Sequence, residues 1–138
     1  MSIRKIPKDT NTFRYYNANP FDRRTGDCVM RALSLVLQKK WETVCEELFK
    51  LSMQTGYSMN SRESIELYLK EKGYEKQKQP RKANGKKYTG SEFARLHPNG
   101  RYLLSIGALH ITALSDGKIT DIWDCSDRCV GNYWIIKG

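Results

Sequence analysis

The stretch that decides the organisation of this chain is Gly26-Asp27-Cys28, followed at once by Val29-Met30-Arg31-Ala32-Leu33-Ser34-Leu35-Val36-Leu37. A turn that runs directly into a nearly unbroken apolar segment predicts a helix over residues 28–39. Apolar residues cover most of the surface of this helix, so we expect it to be central in the fold rather than peripheral.

Cys28 stands at the N-terminus of this predicted helix. The unpaired backbone N–H groups and the positive end of the helix dipole favour a thiolate over a thiol there. A lowered thiol pKa is what nucleophilic catalysis by cysteine requires. Cysteine is also a common packing residue in core helices, and for the isolated motif both interpretations stay open.

The bulk composition indicates one globular domain over residues 1–138. Of these residues 39% are hydrophobic and 28% are charged, which suits a folded core and excludes a disordered chain. No apolar run approaches the length of a membrane span, and the basic N-terminus is not followed by the apolar region of a secretory signal. We therefore expect no membrane association, a cytoplasmic location and free thiols at all four cysteines.

The order of the predicted elements indicates an α+β domain. Residues 1–25 read as an extended arm with turn-forming residues, after which helices come first and strands last. Further helices are predicted over residues 41–53, from about 60 to 73, and over 89–96; strands are predicted over 102–106, 110–115, 118–124 and 132–136.

Residues 76–88 form a basic loop in which positions 76–87 hold six basic residues and no acid. The net charge of +9 is compatible with nucleic acid or an acidic partner. Candidate nucleic-acid contacts are Lys78, Arg81, Lys82, Lys86 and Lys87. A basic run without a recognisable binding motif is more often a solvated surface, so nucleic acid is a possible but not a favoured partner.

The hairpin around Asp116-Gly117 brings an acid close to His110. A two-residue turn pairs Ser115 with Lys118 and places His110 opposite Trp123. In this strict register Asp121 shares a face with His110, whereas a bulge or a one-residue slip favours Asp124 instead. Asp124 also lies at the predicted strand end, where its side chain can turn back over the histidine, so both acids remain candidates.

A cysteine at a helix N-terminus, a histidine that opens a strand and an acid at the end of the next strand form the order found in papain-like cysteine peptidases. Over most of residues 17–136 the chain resembles a small phage- and bacteria-associated group of uncharacterised proteins in that superfamily and, less closely, bacterial leader-processing cysteine peptidases. The residues that carry this resemblance are Gly26-Asp27-Cys28 with Val29-Met30-Arg31-Ala32, His110-Ile111-Thr112-Ala113, Asp116-Gly117, Asp121 to Asp124, and Gly131-Asn132-Tyr133-Trp134.

The resemblance implies a papain-like fold with Cys28 as nucleophile, His110 as base and Asp124 as orienting residue. One departure concerns the glutamine that papain-like enzymes usually carry about six residues before the cysteine, whose amide helps to stabilise the oxyanion. Asp22 holds that position here. Asn19 or Asn17 can supply an amide instead, together with the backbone N–H of Cys28.

Two functions of different classes follow. The first is a thiol hydrolase that acts on peptide or isopeptide bonds, or a related acyl-transfer enzyme, without a cofactor. The second is a catalytically weak or inactive papain-like protein that binds nucleic acid or an acidic protein through its basic surface. A metal site at Cys125, Cys129 and His110 is not favoured, because the spacing is loose and no second cysteine pair supports it.

Overall fold

The structure is a computed structural model that describes residues 5–107 and 109–137. Within these residues the chain forms four helices and five strands, which confirms the predicted α+β class. In chain order the elements are β1 (Phe13–Tyr15), α1 (Cys28–Leu37), α2 (Trp41–Thr55), α3 (Arg62–Glu71), α4 (Gly90–Leu96), β2 (Arg101–Ile106), β3 (His110–Ser115), β4 (Lys118–Asp121) and β5 (Val130–Ile136). In the described part of the chain, no helix combines the length and the apolar character needed to cross a membrane.

The five strands form one mixed sheet in the order β1-β4-β3-β2-β5. β1 runs parallel to β4, and the other neighbouring pairs are antiparallel. The predicted hairpin register is confirmed, because Ser115 pairs with Lys118 across the Asp116-Gly117 turn. Both turn residues have positive φ, which is the backbone conformation that a tight hairpin of this kind requires.

Buried side chains cover the sheet on both faces. Leu103 and Ala113, which are paired across β2 and β3, belong to one core cluster with Leu33 of α1. The next residues along these strands point to the opposite face, where Leu104 packs in a second cluster with Phe93 of α4. α1 therefore lies against the sheet as a central helix, as its apolar surface predicts.

The differences from the sequence-based prediction include an additional strand, a later start of α3 and an earlier end of β4. The predicted arm contains a short strand, β1, whose pairing with β4 depends on residues more than 100 positions away. α3 begins at Arg62 rather than near residue 60, and its N-cap is Ser61, whose side chain accepts from Ser64 N. β4 ends at Asp121 rather than at 124, and this earlier end decides which acid meets the histidine.

We expect Gly90→Ala to destabilise the fold, because a methyl group there would lie 2.6 Å from Ile119 Cδ1 and 3.2 Å from the Ser126 Cα. Overpacking of a well-packed core typically lowers the free energy of unfolding by about 1–3 kcal/mol. Urea denaturation measures this change. Gly26→Ala is the matched control, because a methyl group at that position meets nothing within 4 Å; equal losses in the two variants would contradict the steric explanation.

Candidate active site

Cys28 is the first residue of α1 and is partly exposed. The residue before it, Asp27, is the N-cap, but its side chain makes no capping hydrogen bond. The N–H groups of the first turn therefore have no side-chain cap, and the positive end of the α1 dipole lies beside the Cys28 thiol.

His110 opens β3 and is held by Asp121, the last residue of β4. The distance between His110 Nε2 and Asp121 Oδ2 is 2.7 Å. Thr112 Oγ1 donates to the same oxygen at 2.6 Å, and its place two residues after His110 puts both side chains on one face of β3. The hairpin register and the end of β4 at Asp121 thus bring the histidine and the acid together.

The second oxygen of Asp121 is also occupied. Asp121 Oδ1 accepts from the Ile122 backbone N–H at 2.7 Å and from Arg31 Nη1 at 2.7 Å. The carboxylate therefore receives four donors in all and is only 3% exposed. Burial favours the neutral acid, but His110, Thr112 and Arg31 outweigh it and hold the pKa of Asp121 below its usual range.

The charges of His110 and Cys28 support one another. Burial opposes the imidazolium, yet hydrogen bonds to Asp121, Cys125 and Cys28 raise the pKa of His110 to about 11. Burial likewise opposes the thiolate, but the hydrogen bond and positive charge of His110 lower the pKa of Cys28, with help from the Ile111 backbone N–H. The geometry therefore favours a thiolate–imidazolium pair.

A buried ion-pair chain extends from this pair into α1. Arg31 Nε donates to Asp27 Oδ1 at 2.8 Å while its Nη1 donates to Asp121. The other oxygen of Asp27 accepts from Asn19 Nδ2 and Trp41 Nε1, each at 3.0 Å. Sequence reasoning did not assign Arg31 a role; the signal was a lone arginine in an apolar helix, four residues after an aspartate.

The contacts of Asp124 do not favour the orienting role that the resemblance implies for it. Its carboxylate accepts from the backbone N–H and the hydroxyl of Ser126, in the loop after β4. Because β4 ends at Asp121, the chain has already turned when it reaches Asp124. The alternative acid, Asp121, is the one that contacts His110.

The candidate oxyanion residues make other contacts. Asn19 is buried, and its amide nitrogen donates to Asp27. Asn17 Nδ2 donates to the backbone oxygen of Arg23 at 2.9 Å and to Asp22 Oδ1 at 3.4 Å. Asp22 itself is exposed, with a positive φ of 53°. These contacts favour a role for all three candidates in shaping the loop before α1 rather than in binding an oxyanion.

The ligand-type atoms of His110, Asp121 and Cys125 lie within 4.8 Å of one another, a group that a metal ion can use. Cys129, in contrast, is exposed and does not belong to this group. A metal would have to compete with the donors on Asp121, displace the proton of a strongly basic His110 and ionise Cys125, whose pKa burial raises. The contacts are those of a hydrogen-bonded cluster with Cys125 at its buried edge.

Trp123 contacts the outer side of the histidine. The Trp123 and His110 ring centroids are 4.8 Å apart in an edge-on arrangement. β4 ends before Trp123, so this is a side-chain contact and not the predicted pairing of the two residues across a strand. The indole is 42% exposed, and Leu109, next to the histidine, is 91% exposed. Two large apolar side chains, one in contact with His110 and one adjacent to it in sequence, are therefore exposed to solvent.

A cleft of about 690 Å³ lies beside the site, between the N-terminal arm and the start of α2. Asn19 and Trp41, the two donors to Asp27, form part of its wall, but Cys28 does not line it.

The basic loop is tied to the body of the protein. Gln77 exchanges backbone hydrogen bonds with Tyr133 in β5, and Lys82 forms an ion pair with Glu92 of α4. Arg81 Nη1 donates to the backbone oxygen of Gly85 at 3.0 Å. The remaining candidate nucleic-acid contacts are exposed: Lys78, Lys86 and Lys87.

Comparisons with known proteins leave the family of this chain open. No protein-family model, no curated protein and no solved structure matches it. The papain-like resemblance therefore stays a sequence-based prediction, and the chemistry of the site rests on its own geometry.

We expect Asp121→Asn to lower the pKa of His110 by about one to three pH units, because a carboxylate in contact with the ring stabilises the imidazolium by that much. Long-range proton–nitrogen NMR spectra of the ring nitrogens measure the change. The control is Asp124→Asn, which should leave the titration of His110 in place; His97, whose pKa burial lowers, is the internal reference. A larger effect from Asp124→Asn would contradict the assignment of the acid.

Proposed function

We propose that this protein is a cysteine hydrolase, or a related thiol acyl-transfer enzyme, with Cys28 as nucleophile, His110 as base and Asp121 as orienting residue. The observation that carries the proposal is the position of His110: its Nε2 lies 2.7 Å from Asp121 Oδ2, on the strand that packs against the helix begun by Cys28. The imidazole also lowers the pKa of the Cys28 thiol. Peptide or protein acyl groups are the proposed substrate class.

The order of elements supports a papain-like version of this proposal. The nucleophile lies at the start of α1, which packs against β3, and the histidine and the acid follow on β3 and β4. The nucleophile thus comes from a helix, whereas the base and its orienting acid come from the sheet. A substrate placed over the N-terminus of α1 would meet the thiolate and the imidazolium together.

The proposed reaction has two halves. The Cys28 thiolate attacks the substrate carbonyl carbon, and the His110 imidazolium gives its proton to the leaving amine, so that a thioester remains on Cys28. Water then attacks the thioester while neutral His110 takes a proton from it. The acid is released, and the thiolate–imidazolium pair is restored.

Stabilisation of the oxyanion is the weak point of the proposed site. The α1 N-terminus supplies backbone N–H groups next to Cys28, whereas the amides of Asn17 and Asn19 are engaged in loop contacts. Loss of one oxyanion donor typically costs about 10²- to 10³-fold in rate. We therefore propose a slow hydrolase.

We expect Cys28 to react with iodoacetamide with a midpoint below pH ~8.5, where an ordinary thiol titrates. His110→Ala should move this midpoint upwards, because burial then acts on the thiolate without the opposing imidazolium. Alkylation followed by site-resolved mass spectrometry measures both profiles.

Two controls belong to this experiment. Cys45, whose pKa burial raises, reports an unactivated thiol of the same protein. His97→Ala removes the other histidine and should leave the Cys28 profile unchanged. If Cys28 reacts no faster than Cys45 and does not respond to His110→Ala, the proposed catalytic function is wrong.

A second candidate function is nucleic-acid binding through the basic loop, which is favoured by the exposed cations of residues 76–88. Lys82 is excluded from this set because it is paired with Glu92. The loop is anchored at both ends of its basic run, so its charges are presented from an ordered surface.

For this alternative we expect salt-dependent binding of a fluorescently labelled single-stranded oligonucleotide, with a shallower dependence on salt in the variant with glutamine at Lys78, Arg81, Lys86 and Lys87. The charge-matched control carries glutamine at four exposed lysines elsewhere: Lys8, Lys40, Lys50 and Lys70. Fluorescence anisotropy measures the slope. If the salt dependence of binding becomes equally shallow in both variants, the attraction comes from the net charge of the protein and not from the loop.

A further inference from the structure

The chain of buried charges beside the triad has no part in the reaction steps above, yet it contacts their orienting residue directly. Arg31 is 5% exposed, and its two carboxylate partners, Asp27 and Asp121, are each 3% exposed. One guanidinium bridges them, with Nε on Asp27 at 2.8 Å and Nη1 on Asp121 at 2.7 Å. The side chain is therefore shared between the residue that precedes the nucleophile and the acid that holds the base.

The geometry of this bridge suits arginine in particular. A guanidinium presents several donors in one rigid plane, so two carboxylates at different edges can be held in a defined relative orientation. A lysine at the same position has the charge but only one nitrogen. Asp27 is in turn held by Asn19 and Trp41, so the bridge is anchored at the far end.

Asp121 needs this anchor most when His110 is neutral. While His110 is an imidazolium, its charge attracts the carboxylate; in the second half of the reaction the base is neutral and that attraction falls. Neutral His110 still donates its Nε2–H to Asp121, together with Arg31, Thr112 and the Ile122 backbone N–H. Arg31 is then the only one of these four donors that carries a charge.

Arg31 also acts on the nucleophile through its charge. The positive guanidinium is among the causes that lower the pKa of Cys28, together with His110 and the Ile111 backbone N–H. The charged or titratable groups that face this set are Asp27 and Cys28 on α1 and its cap, His110 on β3, Asp121 on β4 and Cys125 in the following loop. A change at Arg31 thus has two separable consequences, one for charge and one for orientation.

We propose that Arg31 is a positioning residue of the active site, which orients Asp121, and through it His110, by bridging Asp121 to Asp27. This inference rests on the proposed hydrolase function. In this role one buried side chain fixes the position of the end of β4 relative to the N-terminus of α1.

The test uses the full chain and p-nitrophenyl acetate as an acyl probe. The Cys28 thiolate attacks the acetyl carbonyl and releases p-nitrophenolate, and water then hydrolyses the acetyl thioester to acetate and the free thiol. The initial burst reports acylation, and the steady rate reports deacylation, in which neutral His110 must be oriented. The pH profile of Cys28 alkylation is measured on the same samples.

Arg31→Lys and Arg31→Gln separate charge from orientation. We expect both variants to slow deacylation by about 10- to 100-fold, the range for a misplaced catalytic group. Arg31→Lys should keep the Cys28 alkylation profile close to that of the wild type, because it keeps the charge. Arg31→Gln should move the profile to higher pH, because it removes a positive charge near the thiolate.

A merely structural arginine would give a different result. Both variants would then have a lower melting temperature, while the folded protein would keep its deacylation rate and its Cys28 profile; that result would overturn the proposal. If Arg31→Gln does not fold, the charge-balanced double variant Asp27→Asn/Arg31→Gln replaces it, because it leaves no unpaired carboxylate at position 27. Unchanged deacylation in a folded double variant would equally overturn it.

The outcomes also distinguish this inference from the function on which it rests. If the wild-type protein shows no Cys28-dependent burst and an ordinary Cys28 alkylation profile, both the proposed hydrolase function and the role of Arg31 are wrong. If Cys28 is activated in the wild-type protein and the Arg31 variants deacylate at the wild-type rate, only the proposed role of Arg31 is wrong.

Discussion

The structure depends on the placement of one arginine between two buried carboxylates. Asp27, Arg31 and Asp121 are all nearly inaccessible to solvent, and buried charges are tolerated only where each finds a partner and further hydrogen bonds. This requirement joins distant parts of the chain. Asp27 also accepts hydrogen bonds from Asn19 in the arm and from Trp41 in α2, and Asp121 accepts hydrogen bonds from side chains of β3. Cys28 therefore lies beside a network that cannot rearrange without exposing or orphaning a charge.

The charge state of the site is set by a competition between burial and the neighbouring charges and hydrogen bonds. It disfavours every ion, yet the pKa of Asp121 is lowered and that of His110 is raised, so attraction and hydrogen bonding outweigh it. The contribution of Asp121 to stability is present above its ordinary pKa and is lost as the pH falls through the lowered value. That of His110 is present below its ordinary pKa and is lost as the pH rises towards about 11. Both contributions are complete only between the ordinary pKa of aspartate and that of histidine, which is the mildly acidic range.

Local pattern was enough for much of the fold. The apolar run after Cys28 predicted a central helix, and the Asp116-Gly117 turn predicted the pairing of Ser115 with Lys118, because a two-residue turn leaves no freedom of register. The arm shows the limit of such reasoning. β1 is three residues long and exists through its pairing with β4, a partner that no local signal in the arm identifies.

The sequence by itself determined the order of the four helices and of strands β2 to β5, the hairpin register and a short set of reactive groups, since each follows from neighbouring residues. Only the tertiary structure decided that Asp121 rather than Asp124 holds His110, because that choice depends on where β4 ends. It also decided that Arg31 pairs with an acid 90 residues away and that the Asn19 amide is used by Asp27. Partner choice among buried polar groups is set by which donors and acceptors the completed core encloses together, and no local pattern contains that information.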